Sequence, residues 1–176
     1  APPSSIADEL DKQAVVDCGW GRLIFGQTFR SSRQLADQLR DESLGRRDVA
    51  LYSRDPQVVV SQAPQELFID PSLTYRLNLE YAELADMVGH GIEIRPITDA
   101  SDVEQVNRIY KARSMVPVRD GFFDYQRTHP ELHVLLAVET ASGQVVGCVT
   151  GVDHHLAFDD PDNGSSLWAL AVDPQC

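Results

Sequence analysis

Short apolar runs separated by turn residues dominate the second half of the chain. Residues 132–139 and 144–150 predict two strands, and residues 141–143 (Ala-Ser-Gly) fit the hairpin turn between them. The run 167–172 is continuously apolar and stops at Asp173-Pro174, a pattern typical of a strand buried on both faces. The pattern therefore predicts three consecutive strands in this half.

A strand and two helices are predicted ahead of those three strands. Residues 91–97 alternate as Ile-x-Ile, and Asp99 then fits the N-cap of a helix. Pro117 interrupts this helix, and residues 121–128 predict a second, shorter one. The apolar positions of the first helix keep the spacing of a face packed on a sheet: Val103, Val106, Ile109 and Tyr110.

The first half of the chain predicts a smaller α/β unit. A helix over 6–16, a strand over 21–29 and a helix from Ser31 or Ser32 through Arg40 come first. Further strands are predicted at 48–53, 57–62, 67–69 and 74–79. With residues 80–90 as the connector, we predict two units, 1–89 and 90–176. The predicted fold class is α/β (α+β), with a mixed, mainly antiparallel sheet and flanking helices.

Composition and charge exclude several classes of protein. The 176 residues are 43% hydrophobic and 24% charged, as in ordinary globular proteins. A net charge of −12 argues against a surface for nucleic acid or anionic membrane, and no apolar run reaches the length of a membrane span. The three cysteines are widely spaced, which favours reduced thiols and a cytoplasmic protein.

The order strand, helices and three strands ends in Leu170-Ala171-Val172-Asp173-Pro174. In this order and motif, residues 91–176 resemble the first half of a GNAT-family N-acetyltransferase domain. The resemblance implies acetyl-CoA as cofactor, with the backbone of Leu170, Ala171 and Val172 pairing with its pantetheine arm. In that family a basic, glycine-rich turn follows the motif and holds the pyrophosphate, whereas this sequence ends at Cys176. We therefore expect a partial GNAT-like domain that is inactive by itself.

The family often places a carboxylate early on the motif strand as general base, and here residues 165–167 are Ser-Ser-Leu. The candidate catalytic residues are consequently His154, His155 and Ser166. Ser166 lies where the family places its carboxylate, and either histidine could act as the base because histidine titrates near neutral pH. The alternative is a solvated, charged hairpin tip without function. These histidines and the nearby aspartates are of the residue types that bind metals, but their spacing matches neither a helical histidine pair nor a calcium loop. We predict no metal.

A small amine is the expected substrate, and five residues are candidates to bind it. Arg113 and Arg119 flank the bend at Pro117 and could pair with a substrate carboxylate, or could form ordinary surface salt bridges. The resemblance places the substrate lip in the next segment, where the aromatic side chains could shape a pocket or simply pack the short helix: Phe122, Phe123 and Tyr125.

A narrower resemblance covers the first half. The stretches Cys18-Gly-Trp-Gly-Arg-Leu-Ile-Phe-Gly and Gln65-Glu-Leu-Phe-Ile-Asp-Pro-Ser are similar to the N-terminal region of bacterial N-acetylglutaminylglutamine synthetases. This similarity implies osmolyte biosynthesis, the α-amine of glutamine or a glutamine dipeptide as acceptor, and a C-terminal ATP-grasp ligase portion. The alternative is a non-catalytic, degenerate GNAT-like module that binds substrate or docks to that ligase. An uncovered sheet edge also predicts a homodimer or a strand swap.

Overall fold

The computed structural model describes residues 11–82 and 91–176. Residues 6–10 of the first predicted helix and residues 83–90 of the predicted connector lie outside the described residues. Within the described ranges the strands are β1 (Val15–Asp17), β2 (Gly21–Phe25), β3 (Arg47–Leu51), β4 (Ile92–Pro96), β5 (Leu132–Glu139), β6 (Val145–Asp153) and β7 (Ser165–Val172). The α-helices are α1 (Ser32–Arg40), α2 (Pro56–Gln62), α3 (Ala100–Ala112), α4 (Phe122–Gln126) and α5 (His154–Phe158). Two 3₁₀ turns lie at Gly26–Thr28 and Leu79–Tyr81. No helix in the described ranges is long and apolar enough to cross a membrane.

The strands form two sheets, one from each half of the chain. The first has the order β1-β2-β3, with β1 antiparallel and β3 parallel to β2. The second has the order β4-β5-β6-β7, and every pair in it is antiparallel. The coarser prediction of a mixed α and β fold, with mainly antiparallel pairing, is confirmed.

Helix α3 covers one face of the second sheet. It begins where predicted, because the side chain of Asp99 accepts hydrogen bonds from the backbone N–H groups of Ser101 and Asp102. Val106, Ile109 and Tyr110 are buried along one face of the helix. This packing places the helix against β6 and β7.

One apolar core draws on both sheets. Leu23 and Phe25 of β2 belong to the same buried cluster as Leu136 of β5 and Val152 of β6. A backbone hydrogen bond of 3.0 Å from Arg119 to the carbonyl oxygen of Gly19 also joins the two halves. The side chains at the end of β6 therefore lie against β2.

Four local predictions are wrong. Residues 57–62 form a helix, because Asp55-Pro56 is a helix start that outweighs the β-propensity of three consecutive valines. The predicted strands at 67–69 and 74–79 are absent from the described chain, and the apolar side chains there are exposed except for Leu67, which packs against a small buried cluster. Residues Val15–Asp17 form a strand paired with β2, where a helix was predicted.

The prediction that β7 is buried on both faces is also wrong. β7 is the last strand of its sheet among the described residues, and Leu167 and Leu170 are each 73% exposed. Its continuous apolar pattern reflects one face on the core and one face in solvent. A row of backbone groups along its outer edge is consequently free of strand partners in the described structure.

Candidate functional site

The site is built at the junction of β6, α5 and β7. Asp153 ends β6 and caps α5, since its carboxylate accepts a hydrogen bond of 2.9 Å from the backbone N–H of Leu156. The chain returns so that Ser165 pairs with Asp153 and Ser166 with Val152. This antiparallel register places His154, the first residue after β6, beside the start of β7.

His154 and Ser166, both predicted as catalytic candidates, lie in contact. The Nε2 atom of His154 is 2.8 Å from the Oγ atom of Ser166. The indole Nε1–H of Trp168 donates a hydrogen bond of 2.7 Å to the same Oγ atom. Because indole nitrogen can only donate, this contact occupies one lone pair of the serine oxygen. The serine hydroxyl is thus held between a fixed donor and an imidazole nitrogen.

The other ring nitrogen of His154 faces Asp160. The Oδ2 atom of Asp160 lies 3.9 Å from His154 Nδ1 and accepts a hydrogen bond of 2.8 Å from the backbone N–H of Gly164. A Cβ atom at Gly164 would lie 2.8 Å from that Oδ2 atom and 3.3 Å from Nδ1. The absence of a side chain at Gly164 therefore leaves room for the carboxylate and the imidazole to face each other.

Aromatic rings surround the imidazole of His154. The ring of Phe25 is 5.0 Å away in an edge-on arrangement, that of Phe158 is 5.3 Å away, and that of Tyr52 is 6.1 Å away. His154 is only 6% exposed, and this burial lowers its pKa below the ordinary histidine value, while Asp160 and Asp153 oppose the shift. Burial therefore favours the neutral imidazole, the form that can accept a proton.

His155 stands apart from this arrangement. Its side chain is exposed on α5, as the alternative of a solvated hairpin tip requires. The same alternative does not describe His154, which is buried. Among the described residues, no group of three histidine, cysteine, aspartate or glutamate side chains is arranged to hold a metal ion.

A β-bulge interrupts β7 between Trp168 and Ala171. Trp168 pairs with Thr150 and Ala171 with Cys148, so two residues of β7 face one residue of β6. Ala169 within the bulge has a φ of 51°, a left-handed value that is uncommon for a residue with a side chain. The carbonyl oxygen of Ala169 accepts a hydrogen bond of 3.2 Å from the hydroxyl of Tyr110. The bulge is therefore anchored to α3.

Beyond the bulge, the end of β7 is fixed by two arginines of the α3 region. The backbone N–H of Asp173 donates to the carbonyl oxygen of Val146, so alternation along the ladder turns the backbone groups of Val172 toward the outer edge. Arg113 Nε donates a hydrogen bond of 2.7 Å to the Val172 carbonyl oxygen. Arg108 pairs with the buried Asp173 carboxylate and, as the main cause, lowers its pKa. By the same alternation, Ala171 is turned toward β6.

The remaining substrate-binding candidates make internal contacts. Arg119 Nε lies 3.4 Å from Asp17 Oδ2, and its guanidinium carbon is 4.7 Å from the centre of the Tyr125 ring. Phe122 is 2% exposed, and Phe123 and Tyr125 pack against the common core. These contacts agree with the packing and salt-bridge alternatives. Arg113 is the candidate that lies beside β7.

Sequence reasoning missed three residues of the site: Phe25, Tyr52 and Asp160. The rings of Phe25 and Tyr52 come from the first sheet and its following turn, and nothing in the spacing along the chain links them to His154. Asp160 is one of the aspartates near His154, which by residue type alone fit a metal site or a solvated, charged hairpin tip. The signal that could have found the histidine–serine contact was the hairpin itself, because the end of one strand and the start of the next are neighbours.

No family model, no curated protein and no solved structure matches this chain.

Proposed function

We propose that the chain forms the cofactor-binding strand and proton acceptor of an acetyl-CoA-dependent N-acetyltransferase acting on a small amine. The α-amine of glutamine or of a glutamine dipeptide is the proposed acceptor, following the resemblance of the first half. The observation that carries the proposal is the bulged outer edge of β7, within the motif Leu170-Ala171-Val172-Asp173-Pro174.

The geometry of this edge is suited to an extended, amide-containing ligand. The backbone of Val172 is turned outward, and Leu170 lies in the bulge with its side chain exposed. Edge strands bind such ligands through main-chain hydrogen bonds, as in strand addition. Leu170, Ala171 and Val172 would hold the pantetheine arm, with Ala171 supplying the buried anchor of the strand. When bound, acetyl-CoA would supply an acetyl group already activated as a thioester.

The neutral imidazole of His154 supports the role of proton acceptor. Acetylation of an ammonium group requires its deprotonation, and a neutral imidazole is a suitable base. Ser166 precedes Ala169 by three residues, which is about 10 Å along a strand. A proton from an amine near the bulge would therefore reach His154 through the Ser166 hydroxyl and a water molecule. Arg113 would orient a substrate carboxylate beside Val172.

Backbone amide shifts test the binding part of this proposal. Titration of the isotope-labelled protein with acetyl-CoA should shift the amide signals of Leu170 and Val172 and leave those of β1 to β3 unchanged. Val172→Pro removes an outward N–H and should weaken binding, since each such hydrogen bond contributes about 0.5–1.5 kcal/mol. Leu167→Pro is the matched control, because it removes an outward N–H on the other side of the bulge.

An absence of shifts at β7, or shifts that Val172→Pro leaves unchanged, would overturn acetyl-CoA binding at this edge. That result would favour the alternative of a non-catalytic module that binds substrate or docks to a ligase portion. Acetylation of glutamine, followed by mass spectrometry, tests the transfer step separately.

A further inference from the structure

We propose that Ser166 is a nucleophile that accepts an acyl group from small activated esters or thioesters, with His154 as its base and Asp160 as a positioning residue. This activity goes beyond the acetyltransferase proposal, in which Ser166 only passes a proton. It also does not depend on acetyl-CoA binding at the edge of β7. The inference rests on the placement of three side chains and one glycine.

The hydrogen-bond directions at Ser166 favour an activated hydroxyl. Trp168 donates to Oγ, so the hydroxyl hydrogen is free to point at His154 Nε2, 2.8 Å away. Nε2 accepts that hydrogen when the ring proton resides on Nδ1. A serine bonded to a histidine that is itself oriented by a third group is the general arrangement of nucleophilic catalysis.

Asp160 favours the required tautomer of His154. Its carboxylate faces Nδ1 at 3.9 Å and stabilises a proton on that nitrogen. The backbone N–H of Gly164 fixes the same carboxylate oxygen at 2.8 Å. A side chain at Gly164 would contact both groups, so glycine at this position keeps the base and its orienting carboxylate face to face.

The surroundings of the pair suit proton transfer. The aromatic rings around His154 shield most of the imidazole from solvent, whereas Ser166 is half-buried and can be reached from the surface. The indole N–H of Trp168 would also stabilise the negative charge that develops on Oγ. The hydroxyl is therefore both held and polarised.

The reaction needs only the acyl donor and water. Ser166 Oγ forms a bond to the acyl carbon and its proton moves to His154 Nε2. The bond from the acyl carbon to the leaving oxygen or sulfur breaks, and the leaving group takes the proton from Nε2. Water then attacks the acyl-serine, gives a proton to Nε2, and the proton returns to Oγ as the carboxylic acid is released.

Reaction with p-nitrophenyl acetate tests the proposal on the whole protein. We expect p-nitrophenol release together with one acetyl group mapped to Ser166 by mass spectrometry. The chain offers matched controls, because Ser165 and His155 are exposed neighbours of the two residues. Ser166→Ala should abolish the label, and His154→Gln should slow release about 10²- to 10⁴-fold, whereas Ser165→Ala and His155→Gln should leave it unchanged.

Asp160→Asn supplies a readout that a purely structural role would not affect. His154 faces the charged or titratable groups of Asp160, Asp153 and Tyr52; burial lowers its pKa, and the charge of Asp160 opposes that lowering. Removing that charge should move the inflection of the acylation rate to lower pH and slow the reaction. An unchanged inflection would refute the role of Asp160.

A fluorophosphonate probe on the unaltered protein keeps the test independent of variant folding. Such probes modify hydroxyl groups that a neighbouring base activates, and modification of Ser166 is expected. No modification of Ser166 by either reagent, or an acetyl label that persists in folded Ser166→Ala, would overturn the proposal. Loss of acetyl-CoA binding in Val172→Pro with retained Ser166 labelling would separate the two sites.

Discussion

Asp102 is a buried carboxylate whose charge should make a measurable contribution to stability. It lies in the first turn of α3 with 2% of its surface exposed. The two terminal nitrogens of the Arg95 guanidinium, Nη1 and Nη2, each donate a hydrogen bond of 2.7 Å to its carboxylate. The backbone N–H and the hydroxyl of Thr98 donate further bonds of 2.8 Å and 3.0 Å. These bonds tie β4 to α3, so their loss should loosen the start of the second sheet.

The size of the effect follows from the pKa of Asp102. The bonds, chiefly those from Arg95, lower this pKa from 3.8 to about 2. At about 1.36 kcal/mol per pH unit, the difference of 1.8 corresponds to about 2.4 kcal/mol. Because the folded-state pKa is the lower one, this stabilisation is fully present above pH 3.8. It is lost as the pH falls through about 2.

Urea denaturation of Asp102→Asn and of the unaltered protein measures this contribution. At pH 7 the variant should lose about 2–3 kcal/mol of unfolding free energy, and the difference between the two proteins should narrow below pH 4. The control is Asp37→Asn, which removes an exposed carboxylate 3.6 Å from Arg40 and should cost no more than about 1 kcal/mol. Equal losses in the two variants, or a difference for Asp102→Asn that stays constant with pH, would refute the reasoning.

Two further predictions concern close packing and thiol reactivity. Gly21→Ala should lower the unfolding free energy by about 3 kcal/mol or more, because its Cβ would lie 1.5 Å from the Arg47 carbonyl oxygen on the paired strand. In Gly143→Ala the new Cβ would contact no neighbour, so only the strain of its φ of 72° should destabilise the protein, by about 1–2 kcal/mol. Urea denaturation measures both values. Among the three thiols, Cys176 is exposed and should react first with a disulfide reagent at pH 8, whereas burial raises the pKa of Cys148 to about 11 and should protect it until the protein unfolds. Rapid native-state labelling of more than one thiol would contradict this.

The second sheet was predictable because its signals are local and agree with one another. The bounds of Leu132–Glu139 match the prediction, and the hairpin turn and the helix start at Asp99 are where turn and capping chemistry place them. The run 57–62 shows the converse. Its valines favour a strand, but Pro56 occupies the first helical position and Val59 packs into a buried cluster from a helix.

The site was predictable only in part, since its geometry depends on contacts between distant segments. His154 and Ser166 could be named from residue type and strand position, but their contact needs the register of β6 with β7. The aromatic surroundings need β2, more than a hundred residues earlier in the sequence. An uncovered edge was expected at this strand, but the exposed face of β7 could not be predicted from residue types, because a continuous apolar run is equally compatible with a strand buried on both faces and with one buried on a single face.

The placement of Phe25 against His154 ties the chemistry of the second half to the sequence of the first. A substitution at Phe25 would change the hydration of an imidazole at the start of α5, in the other half of the chain, and with it the basicity available to Ser166. Selection would then act on the two halves jointly. Recombination that exchanged the first sheet for that of a distant relative would preserve the hairpin and its motif, but would replace the Phe25 side chain that packs against His154.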